Sequence, residues 1–358
     1  MAMDDHPEKR IVVVGAGIVG ASLAYHLALK NAKVTVVDAG DIASGVTGRS
    51  FAWINTSHAE PDPIHQLRSA AIEEYHRLQA QLQGLEIRWT GALSYSADTL
   101  NAGGSDNGVS VKRLTTPQIL ELEPHLKNPP QYARYAAAEG ALDAVAATHA
   151  LIAGAQQCGA DVFTQTRVTG FTKEENNVTG VMTDNGIIAA DIVVLAAGTG
   201  SKALAEMLDV SLPVGASPAI FIRYKPQPGL VKTLISSPEM EVRQAADGTL
   251  LAAEDYIDDA VENQPTAIAL RAASAIQNEL HGVKDIEVQS ACVGLRPMPA
   301  DGVPVVGYLP TVGGVYVCAM HPGVVLAAVV GRLASEEIID NTRSSALAPC
   351  RPDRFFKT

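Results

Sequence analysis

The chain has 358 residues, 47% of them apolar, and a formal net charge of −12. That length supplies more core than one minimal domain needs, so two domains are expected. The acidic balance disfavours generic nucleic-acid and anionic-membrane binding, which call for a basic surface. The polar start, MAMDDHPEKR, lacks a signal-peptide pattern, and no uninterrupted apolar run reaches the ~18 residues of a membrane span. Cys158, Cys292, Cys318 and Cys350 form no C-x-x-C pair and no metal-ligand spacing. Scattered thiols fit a reducing compartment, so a soluble cytoplasmic protein is expected.

In chain order, Ile11–Val14 reads as a strand buried on both faces, Ile18–Lys30 as a helix stopped near Asn31, and Val34–Val37 as a second strand. Residues 64–84 read as an amphipathic helix, with Leu67, Ala71, Tyr75, Leu78 and Leu82 on one stripe. NAGGSDNG, residues 101–108, reads as a loop. TPQILELEP reads as a short helix capped by Thr116 with Pro117 in its first turn. A second helix is expected over 144–158. Several short strands separated by ENN and DNG turns follow, ending in the apolar run Ile192–Ala197. A long helix is expected around 263–281, and GVYVCAMHPGVVLAAVVGRLASEEIID reads as strand, tight turn and helix. Nucleotide-fold signals thus stand at the start, middle and end. The economical layout is a discontinuous nucleotide domain, 1–85, 140–215 and 295–358, with a second domain built from 86–139 and 216–294.

The first helix opens on a G-x-G-x-x-G pattern, Gly15, Gly17 and Gly20. The first glycine permits the turn, the second lets the backbone approach a pyrophosphate, and the third lets helix and strand pack closely. The helix N-terminus, with Ile18 and Val19, offers free N–H groups to phosphate. Asp38, followed by Ala39, ends the second strand and can accept hydrogen bonds from a ribose 2′-hydroxyl; a 2′-phosphate would be repelled there. This unit holds a dinucleotide and does not separate FAD from NAD.

Four later segments favour FAD. SGVTGRSFAWIN carries small and hydroxyl residues, Ser44, Thr47, Gly48 and Ser50, suited to a ribityl-pyrophosphate chain, and Arg49 can reach phosphate. TRVTGF can present the Val168 backbone to an adenine edge, and VVLAAGTGS is an apolar strand ending in small residues. GLRPMPADGVPVVG followed by HPGVVLAAVVG is a Gly/Pro-rich approach to a late helix N-terminus. Such an N-terminus stabilises the charge that builds on the pyrimidine edge of a reduced flavin.

With these motifs the chain resembles the FAD-dependent amine and amino-acid oxidoreductases of the D-amino-acid oxidase superfamily, in the glycine oxidase and sarcosine oxidase branch. The resemblance spans Ile11 to about Ile339, and residues 294–307 are its most specific part. It implies an α/β fold: a glutathione-reductase-type FAD-binding Rossmann domain plus a sheet-based substrate domain. It assigns Gly15, Gly17, Gly20 and Asp38 to the ADP moiety, Thr47, Gly48, Arg49 and Ser50 to the ribityl chain and isoalloxazine, and Val168 to adenine. It places Ala197 and Gly198 near the flavin, and Gly323, Val324 and Val325 under its pyrimidine edge. Arg296 matches the arginine that clamps the substrate carboxylate, as its planar fork suits; the alternative is an internal ion pair with Asp301.

The sequence departs from the family in several places. The flavin-bonding cysteine of sarcosine-oxidase-like members aligns with Gly294, two residues from Cys292, so FAD is expected to be non-covalent and Cys292 structural. The last turn reads CAMHPG, which displaces His321 from the familiar histidine; it either faces flavin or substrate, or bonds its own loop. Val325 replaces a carboxylate-gripping lysine. MEVR puts Glu241 where glycine oxidase has an active-site tyrosine; Glu241 and Arg243 would share one strand face, toward substrate or paired with each other. Trp53 and His58 either wall the pocket or pack in the core.

The implied reaction takes a hydride from the carbon bearing a neutral amine to flavin N5, after which the imine hydrolyses to a keto acid. The partners expected are a small amine or amino-acid substrate and oxygen or another electron acceptor; self-association stays open. The rivals are a flavin dehydrogenase with a non-oxygen acceptor, a 2-hydroxy-acid-oxidising flavoenzyme, a non-catalytic dinucleotide-binding subunit, and an NAD-dependent dehydrogenase.

Overall fold

The computed structural model describes residues 8–56, 62–96, 111–227, 229–283 and 285–356. His58 and the loop 101–108 lie outside the described residues.

Arg10–Val14 stands inside a six-stranded sheet. It pairs in parallel with Lys33–Val37 on one side and Ile192–Leu195 on the other. Asp161–Phe163 extends one edge; Val315–Ala319 and the antiparallel Val305–Tyr308 extend the other. The chain order therefore reverses at Arg10–Val14, the kind of switch point where open α/β sheets bind ligands beyond their strand C-termini. Ile11 and Val13 face a core of helices, whereas Val12 and Val14 face a second core. This two-sided burial explains the unbroken apolar run.

On the helical side lie Ile18–Leu29, Ala144–Gln157 and Gly323–Asp340, with His65–Gln81 packed on the last. Each stops where the sequence changes. Asn31 takes a left-handed φ of 59° just past the first helix, and Asp143 caps the second by accepting from Val145 N and Ala146 N. The other side is covered by an antiparallel three-stranded sheet, Val168–Glu174, Asn177–Thr183 and Gly186–Ala189.

An eight-stranded sheet forms the remainder. Its order is Val288–Pro299, Val214–Tyr224, Leu250–Asp255, Glu241–Gln244, Leu234–Ser236, Ala92–Ser94, Tyr132–Ala136 and Val111–Thr115. Pro265–Glu279 covers one face, through a core that includes Ile222, Tyr224, Val242 and Ile268. The other face turns toward the dinucleotide sheet. Positions 215 and 294, where the sequence pattern divides the chain, fall inside the long strands Val214–Tyr224 and Val288–Pro299, which pair along their whole length. The short helix Thr116–Leu122 is capped by Thr115, not Thr116: Thr115 forms the capping box with Gln118. Among the described residues no helix is long and apolar enough to cross a membrane.

Candidate active site

A cavity of about 780 Å³ opens between the two large sheets, within the range of small-molecule and cofactor sites. Its first wall begins at the C-terminal end of Arg10–Val14. Gly15 has φ +114°, and a Cβ there would meet Ala196 O at 2.4 Å. Only a bare backbone fits. Gly17 caps the helix with no side-chain cap of its own, and lines the cavity with Ile18 and Val19. The Ile18 N–H donates to Thr47 Oγ1 at 3.1 Å, so Thr47 anchors the following segment to the helix start. Gly20 stands outside the wall. A Cβ there would meet Gly15 O at 1.9 Å, so this glycine serves packing behind the loop.

Asp38 lines the cavity beside Ala39. Its carboxylate accepts from Ala16 N at 2.7 Å and Gly40 N at 2.8 Å. Each oxygen keeps a further lone pair for a hydroxyl donor. Val168 closes this end. Ser44, Thr47, Arg49 and Ser50 follow along the wall, but Gly48 does not: it packs where a Cβ would meet Ala43 O at 2.8 Å. Ala197 and Gly198 contribute the turn after Ile192–Leu195, with Gly198 at φ +58°. Gly323, Val324 and Val325 begin the late helix, again with no side-chain cap, and line the cavity beside His321. Tyr75 donates its hydroxyl to Val324 O and fixes that helix start.

Two helix N-termini whose own N-cap residues, Gly17 and Pro322, supply no side-chain cap thus open into one elongated cavity, as a dinucleotide pyrophosphate and an electron-rich ring edge require. The glycine cradle, the Asp38 carboxylate and the apolar lining fit FAD.

The second wall belongs to the eight-stranded sheet. Ala219, Phe221, Glu241, Ala253, Gly294 and Arg296 present one face to the cavity. Arg296 donates through Nη2 to Ser217 Oγ at 2.9 Å and Pro218 O at 3.3 Å, and through Nε to Ser217 O at 3.3 Å. Among the described residues it forms no ion pair. Asp301, the partner considered from the sequence, is taken by Arg354 at 2.7 Å. Glu241 receives a hydrogen bond from Ser236 Oγ at 3.3 Å. Burial pushes its carboxyl up to about 7; Glu254 and Asp255 add to the rise, while the Ser236 hydrogen bond and Arg296 oppose it.

Arg243 is a correction. It shares the strand face of Glu241, yet it is absent from the cavity wall and does not pair with Glu241. Its buried guanidinium donates to Phe51 O at 2.7 Å and Leu142 O at 2.9 Å. Phe51 lies in the wall, so Arg243 supports the pocket from behind. Cys292 also stays out of the wall, with its thiol 3.8 Å from Phe221 O. At Gly294 a Cβ would meet Arg49 O at 2.9 Å. Trp53 does line the cavity and donates Nε1 to Glu139 at 2.8 Å.

Sequence reasoning missed Arg68. It lines the cavity although only 6% exposed, and it donates to Asp62 at 3.0 Å and Asn55 at 3.4 Å. The available signal was a charge inside an apolar stripe, three, four and seven residues before Ala71, Ile72 and Tyr75.

Comparison with known proteins agrees with this geometry. The chain is 28% identical to a glycine oxidase of Pseudomonas putida over 344 residues, covering 89% of this chain and 91% of the relative. It is 25% identical to a glycine oxidase of Bacillus licheniformis, covering 92% and 93%. The crystal structure of L-proline dehydrogenase from P. horikoshii superimposes with a TM-score of 0.87 at 25% identity, covering 98% of this chain and 99% of the other. The DAO model, described as FAD dependent oxidoreductase, matches residues 10–337. With its glycine cradle, paired helix starts and a match over residues 10–337, the chain belongs to the DAO family of FAD-dependent oxidoreductases.

Proposed function

We propose that this chain oxidises a small amine or amino acid that carries a carboxylate. The observation that carries the reading is Arg296, a guanidinium in the cavity wall held, among the described residues, by the neutral oxygens of Ser217 and Pro218. Its Nη1 makes no hydrogen bond among the described residues, so two N–H groups of the guanidinium remain for a carboxylate. Bound FAD supplies the two-electron acceptor for a hydride from the substrate's α-carbon. Ala219 on the Arg296 side and Ala253 on the Glu241 side keep the sheet face low, which leaves room for a substrate above them. Phe51 and Trp53 supply apolar wall from the first domain.

The dinucleotide part comprises 1–85, 140–213 and 300–358 in this reading, and the substrate part keeps both long strands whole. FAD is held without a covalent bond, because Gly294 has no side chain and Cys292 points its thiol at Phe221 O. The four free thiols support a cytoplasmic location. Oxygen or another acceptor takes the electrons back, and comparing oxygen consumption with dye reduction distinguishes the two.

The test is anaerobic bleaching of the purified yellow protein by amino acids, secondary amines and the matching 2-hydroxy acids. Bleaching by amines alone supports the reading; bleaching by hydroxy acids alone replaces it. In Arg296→Met, kcat/KM for carboxylate-bearing amines should fall by about 100-fold, the usual scale for losing one partner of a desolvated charge pair, while flavin content stays unchanged. Unaltered kcat/KM would remove Arg296 from the site.

A further inference from the structure

Glu241 and Arg296 stand on the same face of one sheet with two strands between them, Leu250–Asp255 and Val214–Tyr224. At about 4.8 Å per strand across the sheet and about 3.3 Å per residue for the four-residue stagger between their rows, their backbones stand roughly 20 Å apart. The register shows what lies in the interval. Arg296 is opposite Ser217, Gly294 opposite Ala219, and Phe221 opposite Ala253. The pairs Val242–Ala252 and Arg243–Leu251 then set Ala253 beside Glu241. Ala219 and Ala253 keep part of that interval low, while Phe221 stands in the row of Glu241 and Arg49 covers Gly294. Among the described residues the two form no direct ion pair, yet the positive charge of Arg296 reaches the Glu241 carboxyl. They are the two ends of a split pair on the wall of one cavity.

A zwitterion bridges such a gap. With its carboxylate on Arg296, its ammonium group extends along the same cavity wall toward Glu241. Resting on the amine reading above, we propose that Glu241 receives the ammonium group of the bound substrate and takes one of its protons. One N–H bond breaks and one O–H bond forms on a Glu241 oxygen; no electrons change owner. The amine left behind is neutral, the form whose α-carbon gives up a hydride. A base works best when its pKa lies near the working pH, and burial brings Glu241 to about 7. The groups that act on it are Ser236 from Leu234–Ser236 by hydrogen bond, and the charges of Glu254 and Asp255 from Leu250–Asp255 and of Arg296. The same arrangement sets substrate class. A carboxylate without an amine meets the ionised Glu241 as a like charge, so amino acids are favoured over 2-hydroxy acids.

The experiment uses holoenzyme and two readouts. The first titrates the flavin absorbance with propionate from pH 6 to 8. In the wild type the Kd should rise about tenfold over that interval, as one carboxyl near 7 ionises; in Glu241→Gln it should stay flat. The second follows kcat/KM against pH with the best amine found by bleaching. The wild type should lose activity below about pH 7. Glu241→Gln should be strongly impaired at neutral pH and regain about tenfold per pH unit as the free amine loses its proton in solution. Glu241→Asp keeps a carboxyl and should restore an acid limb. A propionate Kd independent of pH in the wild type, or a Glu241→Gln profile that overlays the wild type, overturns the proposal while amine oxidation stands. Wild-type flavin that no amine bleaches overturns the amine reading and the Glu241 role together, and the propionate titration still shows whether Arg296 marks a carboxylate site.

Discussion

On the six-stranded side of the cavity the ligand-facing groups are mostly main chain: the bare backbone at Gly15 and Gly17, and two helix starts without side-chain caps. On the eight-stranded side they are side chains, Arg296 and Glu241, set among Ala219, Phe221 and Ala253. A main-chain site works by the absence of side chains, so it appears in sequence as glycines at fixed spacing. A side-chain site works by direction. Direction depends on which strands pair and in what register, and those strands are distant in sequence. The first wall fits the cofactor that defines the family, and the second is where the proposed function places the substrate.

The largest effect expected from breaking this contrast is at Gly15. Gly15→Val places a β-branched side chain at φ +114° and into Ala196 O. Left-handed strain alone costs about 1–3 kcal/mol for a non-glycine residue, and the clash adds to it. The purified variant should be colourless or insoluble, measured as flavin per protein and by circular dichroism. A yellow, folded Gly15→Val would show that the first wall does not depend on bare backbone.

Arg243 tests the second wall from behind. Arg243→Met removes two buried charge-assisted hydrogen bonds, to Phe51 O and Leu142 O. At about 1.5–3 kcal/mol for each such bond, a loss near 4 kcal/mol is expected. It should appear as a lower melting temperature and weakened substrate binding through a displaced Phe51. Loss of activity with unchanged melting temperature would return Arg243 to the chemistry.

Acid separates the walls differently. Glu74, its side chain 7% exposed, joins three helices behind the first wall, held by Arg77 at 2.9 Å, Arg332 at 2.8 Å and His26 at 3.5 Å. Burial alone would raise its carboxyl, but the hydrogen bonds from His26, Arg77 and Arg332 outweigh it and hold it at about 2 against an ordinary 4.5. A depressed acid stabilises the fold above its unfolded pKa, and that contribution is lost as pH falls through the folded value. The window is therefore pH 4.5 to 2, and the contribution is about 3 kcal/mol. Wild-type stability should drop across that window by more than Glu74→Gln does, and flavin release should follow the same curve. Parallel curves for the two proteins would remove Glu74 as the cause.

Much of the first wall was legible because its constraints are local. The glycine spacing, the acid ending the second strand and the apolar run Ile192–Leu195 each express a backbone requirement within a few residues. Local chemistry still leaves small errors: two adjacent threonines compete for the cap before Pro117, and Thr115 wins because Gln118 completes its box. The second wall was legible only by residue type. Glu241 and Arg243 share a face by simple alternation, but only the placement of Phe51 above Arg243 shows that one meets the cavity and the other a core. Arg68 stayed hidden because its partners, Asp62 and Asn55, lie in a connecting segment with no pattern of its own.

The smallest effect separates gripping from aiming. Ser217 Oγ accepts from Arg296 Nη2 at 2.9 Å, while Ser217 O and Pro218 O accept two further bonds at 3.3 Å. Ser217→Ala removes only the shortest of the three and leaves the positive charge in place. One hydrogen bond to a charged group at a half-open site is worth about 1 kcal/mol, or roughly a fivefold rise in KM for carboxylate-bearing amines. The melting temperature and kcat should barely move, because the hydroxyl neither packs the core nor meets the reacting carbon. If side-chain direction is what distinguishes this wall, the penalty should fall on acids and spare amines that lack a carboxylate. A KM unchanged for acids would mean that the two carbonyls alone aim Arg296, which makes even this wall partly a main-chain device.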